Sequence, residues 1–414
     1  MNRKLLLTGE RVVVLTLALV ALVSGLYFAG KSGSNPDAYG NDFNVYYHAA
    51  LEVMAGRDPY EHSLGDWTPY IYPPLLAELI VPLALLRLRV AAYVWFLISA
   101  GSVVAAASMS ARLADDDPGR AAPDQGVIKS ASLRAAIAAC AALLVLRFVL
   151  DTFSLGQVNT VVAALAVAHL YLYSRDRKVL SAVALVIAVS IKLTPALLLL
   201  YHIGKLRLKF AAACAALLIA VTVVSFLPFG LRGVDVFQTF WGRTVKNEQG
   251  YDFSFSGNQS LRGAIARLND REAGGVSPQS EGESRKPADP ATLLISIVLL
   301  ALAVFSAVRA RGELAAAAPF FCCLVMLSPL SWKAHYVILI LPAAYLLSLV
   351  KTSGNARRLI AATFGAAFAL FNLTSPRVIG LAAAEWADCH SLVFLGALLI
   401  FIASLSFFSQ PSRT

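Results

Sequence analysis

Residues 179–203 read VLSAVALVIAVSIKLTPALLLLYHI, an apolar run interrupted at Lys192-Leu193-Thr194-Pro195. As one piece it is long enough to cross a bilayer, for which ~20 apolar residues suffice. Pro195, however, breaks a helix ladder. Cationic loops also stand on both sides, Arg175-Asp176-Arg177-Lys178 before the run and Lys205–Lys209 after it. Short cytoplasmic loops carry the excess of Lys and Arg, so both flanks are expected on the same side, and 179–203 is expected to be a hairpin turning at Lys192–Pro195. The second arm, about 195–203, is too short to span alone. The turn is therefore expected below the outer surface, unless the arm begins earlier.

Working outward, apolar segments lie near 12–28, 74–86, 90–111, 132–150, 157–173, 209–228, 291–311, 314–328, 336–350, 357–373 and 391–408. The first follows Arg3, Lys4 and Arg11 and has no convincing small-residue cleavage site, so it is expected to be a retained span. Segment 74–86 starts at Pro73-Pro74, contains Glu78 and Pro82 and is short, which fits a re-entrant or interfacial helix. With the amino terminus inside, the cationic loops Arg112–Arg134, Arg309–Arg311 and Lys351–Arg358 fall inside as well. The expectation is an all-α, polytopic bundle of about twelve transmembrane helices, the hairpin counting as two, in one domain over 1–414, with long extracytoplasmic loops at 30–89 and 230–290.

Composition agrees. Of 414 residues, 58% are hydrophobic and 14% charged, which excludes a soluble enzyme. The net charge of +10 sits in short runs between apolar stretches, without a basic helix face, so no nucleic-acid partner is expected and the partner of the surface is the lipid bilayer. Five cysteines, four of them within apolar segments, give no disulfide framework and no CxxC pair.

The same topology gathers the polar motifs on the extracytoplasmic face. Asp42 stands in Asn41-Asp42-Phe43-Asn44-Val45-Tyr46-Tyr47-His48, where Phe43, Tyr46, Tyr47 and Ala50 have helical spacing. It is either a first-turn aspartate favoured by the helix dipole or a general base for an acceptor hydroxyl. Tyr70-Ile71-Tyr72-Pro73-Pro74 follows in the same loop, and His62 there has no His or Cys partner at metal-ligand spacing. Gly156-Gln157-Val158-Asn159 opens a span with two amides at depth, and Lys192 is an isolated cation in an apolar run. Intramembrane ionisable groups point to a site; Lys192 either pairs with a phosphate or snorkels to the surface. Asn258-Gln259-Ser260 precedes a short helix, Leu261–Leu268, with Ser260 or Asn258 as its N-cap. In Ser328-Pro329-Leu330-Ser331-Trp332-Lys333-Ala334-His335-Tyr336, Trp332 and Tyr336 suit an interfacial belt. Lys333 and His335 suit a phosphate leaving group, with Arg262 as a reinforcing cation.

Asp42, Tyr72-Pro73-Pro74, Gly156-Gln157-Val158-Asn159, Lys192-Leu193-Thr194-Pro195, Asn258-Gln259-Ser260-Leu261 and Ser328-Pro329-Leu330-Ser331-Trp332 together resemble glycosyltransferase family 87, in order, from about residue 37 to 345. Members of that family include polyprenol-phosphate-mannose-dependent α-mannosyltransferases. The resemblance implies a GT-C class membrane enzyme that inverts the anomeric carbon, with a polyprenyl-phosphate sugar as donor and a glycolipid or polysaccharide as acceptor. It implies Asp42 as catalytic base and the loop ending in His335 near the donor phosphate, where the charges of Lys192, Lys333 and Arg262 are expected to help stabilise the departing group. Tyr46, Tyr72, Gln157, Asn159, Asn258, Gln259 and Trp332 are then expected to line the substrates. Family members often carry paired histidines after the Ser-Trp motif, and here Lys333-Ala334-His335 keeps the second alone. No metal or other cofactor is required, because two or three cations balance a monophosphate leaving group. A bacterial inner membrane fits the cationic inner loops. The competing reading is a carrier or flippase for a lipid-linked sugar, with Lys192, Arg147 and Gln157 lining a path.

Overall fold

A computed structural model describes residues 23–31, 41–61, 63–64, 68–116, 131–246, 252–269, 289–350 and 355–405. Residues 12–22 of the first apolar segment, His62, residues 117–130 of the third cationic loop and residues 270–288 of the second long loop lie outside the described residues.

The described chain is helical apart from two short strands, β1 (Ser63–Leu64) and β2 (Thr68–Pro69), which pair antiparallel. Helix α1 (residues 23–31) and α2 (Asp42–Met54) precede them; α3 (Pro74–Ala84) and α4 (Leu88–Asp115) follow. Then come α5 (Ala131–Leu144), α6 (Leu146–Leu155), α7 (Asn159–Ser174), α8 (Lys178–Ile191), α9 (Leu197–Gly204), α10 (Leu208–Phe226) and α11 (Gly233–Phe240). The second long loop contributes α12 (Leu261–Asn269), and α13 (Pro290–Arg309) and α14 (Glu313–Met326) follow it. A 3-10 segment, Lys333–Leu339, runs into α15 (Ile340–Leu349). The last helices are α16 (Asn355–Phe368), α17 (Pro376–Ile379), α18 (Leu381–Cys389) and α19 (Leu392–Ser404).

Three stretches are long and apolar enough to cross a membrane on their own: Leu88–Asp115, Leu208–Val245 and Pro290–Arg309. Two helix pairs meet the same test together, Leu133–Leu144 with Leu146–Leu155 across a 65° bend and Leu381–Cys389 with Leu392–Ser404 across a 53° bend. The outer faces are apolar, with Ile219, Val223 and Val224 of α10 and Leu293, Leu294 and Ile297 of α13 exposed. Such a surface is unfavourable in water, whereas hydrocarbon accepts it because the helix satisfies its own backbone. The chain is a membrane protein. At its centre α14 is buried throughout from Ala316 to Met326.

The run 178–204 turns back on itself. Lys192 is extended, at φ −150° and ψ 128°, and Pro195 offers no N–H to prolong the ladder of α8. The chain restarts through a 3-10 turn, Thr194–Ala196, into α9. Near the end of α9, His202 Nε2 lies 2.8 Å from His169 Nε2 of α7, and His169 Nδ1 lies 2.9 Å from Ser181 Oγ in the first turn of α8. The start of α8 and the end of α9 are therefore at one level, and Lys192 is at the other.

This gives the bundle two chemically distinct ends. One is laced by cations: Arg207 pairs with Glu313, Lys205 Nζ donates to the carbonyls of Ala307 and Ala310 at 3.0 and 3.1 Å, and Arg175 meets Asp116 at 2.6 Å. The other gathers the end of α6, the start of α7, Lys192, the end of α14 and the 3-10 segment. Gly156 makes this second end possible. It closes α6 in the left-handed region at φ +67°, and a Cβ there would lie 2.7 Å from Phe28 and 2.8 Å from Phe43. Trp95 of α4 holds the turn by donating from Nε1 to Gly156 O at 2.9 Å.

Gly156→Ala is expected to lower stability by about 2 kcal/mol or more, since the left-handed conformation alone costs ~1–2 kcal/mol and overpacking adds to it. Thermal unfolding in detergent should show a lower midpoint. Gly365→Ala, on an open helical face of α16, should leave the midpoint unchanged or raise it. Equal midpoints for the two variants would contradict the close approach at Gly156.

Candidate active site

Asp42 is the first residue of α2 and is half-buried. The helix forms because Phe43, Tyr46, Ala49 and Ala50 fall on one face, and that face is buried against α3 and α4. Phe43 stacks on Trp95 with ring centroids 5.7 Å apart, and Tyr46 meets Tyr72 edge-on at 5.1 Å. The Tyr46 hydroxyl donates to that of Tyr72 at 3.1 Å. Tyr72 is itself fixed, since the Tyr60 hydroxyl donates to its carbonyl at 2.7 Å. Tyr70 reinforces the corner by donating to Pro73 O at 2.7 Å while accepting from Ala77 N at 3.0 Å. The first long loop thus presents Asp42 from a rigid aromatic wall.

A polar series runs from this carboxylate into the bundle. The Gln157 side chain faces Asp42 and favours its ionised form. Gln157 Oε1 accepts from Asn159 Nδ2 at 2.5 Å, and Asn159 Oδ1 accepts from Lys192 Nζ at 2.7 Å. Burial pushes the Asp42 carboxyl up to about 6, against the opposing pull of the Gln157 amide and of the Lys192 and Lys31 charges. Lys31, at the end of α1, is anchored by donating to Ser154 O at 3.0 Å.

Beyond Asn159 the series opens into a small cleft lined by Asn159, Val162, Lys192, Thr194, Leu324, Val325, His335 and Ile338. Lys192 and His335 enter one space, with Asn159 and Thr194 as its other polar walls and four aliphatic side chains completing it. An anion placed there would meet a cation and an imidazole in surroundings that strengthen both contacts. Among the described residues no group of three His, Cys, Asp or Glu side chains is arranged to hold a metal ion.

The remaining expected residues stand elsewhere. Asn258 is buried and engaged: its Nδ2 donates to Phe253 O and Pro329 O at 2.9 and 3.1 Å, and its Oδ1 accepts from Ser331 N and Ser260 N at 2.9 and 3.2 Å. Gln259 donates from Nε2 to Ser256 O at 2.7 Å and Asp388 O at 2.9 Å, while its Oε1 is buried with no hydrogen-bond partner among the described residues. Ser260 caps α12 by accepting from Gly263 N at 3.1 Å, which resolves the choice between it and Asn258. These side chains fasten the second long loop to Ser328–Trp332 and to α18. Lys333 forms an ion pair with Asp388 at 2.5 Å and is not among the residues lining the cleft. Arg262 lies over the Phe253 ring at 3.4 Å, and Trp332 packs on Phe255 at 5.5 Å. His335 alone of the Lys333–His335 stretch reaches Lys192's side, since residues two apart on a 3-10 helix point in different directions.

Three participants escaped the sequence reading. Lys31 could have been found as the last cation before Asp42. Asp388 had no such signal, because it pairs with Lys333 across 55 positions. Arg267 was also missed; its guanidinium donates to the carbonyls of Ser254, Phe255, Asn258 and Cys389 and ties the loop together.

The profile of glycosyltransferase family 87 matches residues 70–330, which include Gln157, Asn159 and Lys192 and stop short of Asp42 and His335. Curated relatives include a polyprenol-phosphate-mannose-dependent alpha-(1-2)-phosphatidylinositol pentamannoside mannosyltransferase of Mycobacterium tuberculosis, 27% identical over 338 residues, 80% of this chain and 71% of the relative. An enzyme of the same name from Mycolicibacterium smegmatis is 29% identical over 309 residues, covering 72% and 67%. A polyprenol-phosphate-mannose-dependent alpha-(1-2)-phosphatidylinositol mannoside mannosyltransferase of that organism is 27% identical over 316 residues, covering 72% and 68%.

Asp388→Leu is expected to cost roughly 2 kcal/mol by stranding Lys333, less than the ~3–5 kcal/mol of a fully buried pair. The double variant Lys333→Met/Asp388→Leu should recover most of that loss in thermal unfolding. A double variant as unstable as the single one would show that the ion pair is not the source of the effect.

Proposed function

The chain belongs to glycosyltransferase family 87, and from that membership we propose that it transfers mannose from a polyprenyl-phosphate donor to a glycolipid hydroxyl, with inversion, at the extracytoplasmic face of a bacterial plasma membrane. The observation that carries the reading is the convergence of Asp42, Gln157, Asn159, Lys192 and His335 at one end of the bundle.

In this scheme Asp42 accepts the proton of the acceptor hydroxyl as its oxygen bonds to the anomeric carbon. The bond from that carbon to the phosphate oxygen breaks on the opposite face. The departing polyprenyl phosphate goes from one negative charge to two, and Lys192 and His335 stabilise the charge that develops. An elevated carboxyl suits the role, because a stronger base holds the proton more firmly while remaining ionised above about pH 6. The bonds of Asn258, Gln259 and Lys333 favour a supporting role for these three: they hold the stretch that carries His335.

The cationic loops support the sidedness. Arg175, Lys205 and Arg207 sit at the end opposite Asp42, and cationic short loops face the cytoplasm. Helix α8 is 14 residues, ~21 Å, long, shorter than the ~30 Å hydrocarbon core. Lys192 then lies below the outer surface, at a depth a lipid phosphate reaches. Helix α3 does not cross in this arrangement, because a crossing there would move the later cationic loops to the outer side. The twelve crossings are then the apolar segment 12–28, α4, the α5–α6 pair, α7, the two arms of the hairpin, α10, α13, α14, α15, α16 and the α18–α19 pair.

Protein in nanodiscs supplied with polyprenyl-phosphate mannose should consume the donor, and Asp42→Asn should slow consumption by ~10²-fold or more. The wild-type rate should fall as pH drops through about 6, because only ionised Asp42 accepts the proton. Near-normal turnover by folded Asp42→Asn would contradict the proposal. A donor that is bound and never consumed would instead mark a carrier.

A further inference from the structure

Lys192 carries three N–H donors and no acceptor, while an ionised carboxylate has acceptors alone. These two residues stand at opposite ends of the series Lys192–Asn159–Gln157–Asp42 and fix its direction. Asn159 must turn its oxygen to Lys192, which leaves its NH2 for Gln157. Gln157 must then meet Asn159 with its oxygen, which leaves its own NH2 for Asp42. The amide orientations, ordinarily ambiguous, follow from the two termini.

We propose that Gln157 and Asn159 are positioning residues that keep an N–H donor on Asp42, oriented by Lys192, instead of contacts to the substrates. The inference rests on Asp42 being the base. One Lys192 proton goes to Asn159 and two remain for the donor phosphate, so a single ammonium serves the leaving group and orients the base. Gln157 occupies one lone pair of the carboxylate and leaves the others for the acceptor hydroxyl. Asn159 contributes without touching Asp42. Its own wall of the cleft is shared with Lys192 and His335.

The charged groups acting on Asp42 are Lys192 and Lys31, with Tyr46 one turn further along its helix. Glu78 of α3, packed against α2, acts on Tyr60 and Tyr70. A hydrogen bond donated to a carboxylate favours its ionised form. Losing the Gln157 donor must therefore raise the pH below which Asp42 is protonated and idle.

The test is the pH dependence of kcat/KM for polyprenyl-phosphate mannose in nanodiscs, measured for wild type, Gln157→Met, Asn159→Leu and the double variant. Both single variants are uncharged at the altered position. Each is expected to move the acid limb from near pH 6 upward by about one unit, and the double variant to move it no further than Gln157→Met alone, because the two act in series. Loss at pH 6 should then exceed loss at pH 8 several-fold. A raised KM with an unmoved limb for either single variant would assign these amides to substrate contact and overturn the inference. Gln157→Met keeps the test open if Asn159→Leu fails to fold. Asp42→Asn separates the layers: its turnover would remove the base and the inference together, whereas a block by Asp42→Asn with an immobile limb removes the inference alone.

Discussion

A lysine inside an apolar hairpin is tolerable only when its ammonium finds partners, and in this protein the 2.7 Å bond from Lys192 to Asn159 supplies one. Much of the surrounding architecture serves that contact. Pro195 ends α8 so that Lys192 is extended and projects from the turn. Gly156 ends α6 in a conformation few residues adopt, and α7 starts three residues later with Asn159 at its tip. Two chain breaks, one at a proline and one at a glycine, bring a cation and an amide together where unbroken helices would have carried them past each other.

The second support is the fastening of the long loop after α11. Arg267 and Asn258 collect backbone carbonyls and amides from residues 253–260, 329–331 and 389, and Lys333 adds an ion pair to α18. Buried polar groups of this kind are costly unless fully met. Where they are met they fix the following segment, and the following segment contains His335. The fastened loop therefore sets one wall of the cleft from a distance, while the aromatic corner around Tyr46, Tyr70 and Tyr72 sets Asp42 from the other.

The hairpin was legible because two rules, the proline break and the clustering of cations on one side, gave the same answer for residues 179–203. Helix α2 was legible from the spacing of Phe43, Tyr46 and Ala50, and α12 from Ser260 before it. The roles of Asn258 and Gln259 were not legible for a physical reason: an amide that binds substrate and one that binds backbone look alike in a loop sequence, and only their partners differ. The pairing of Lys333 with Asp388 was illegible because no local period links positions 55 apart. Apolar segments are easier to locate than spans are to count, since bends of 65° and 53° divide two candidate spans into pieces each shorter than a bilayer requires.

In the proposed reaction the donor phosphate sits between Lys192 and His335, on the far side of Asn159 and Gln157 from Asp42. This placement is tested most directly by an electron cryo-microscopy structure of the protein in nanodiscs with polyprenyl phosphate bound. The phosphate should lie in the cleft with its oxygens about 3 Å from Lys192 Nζ and within reach of His335. A phosphate bound at Lys333 and α18, with the Lys192 cleft empty, would contradict the account.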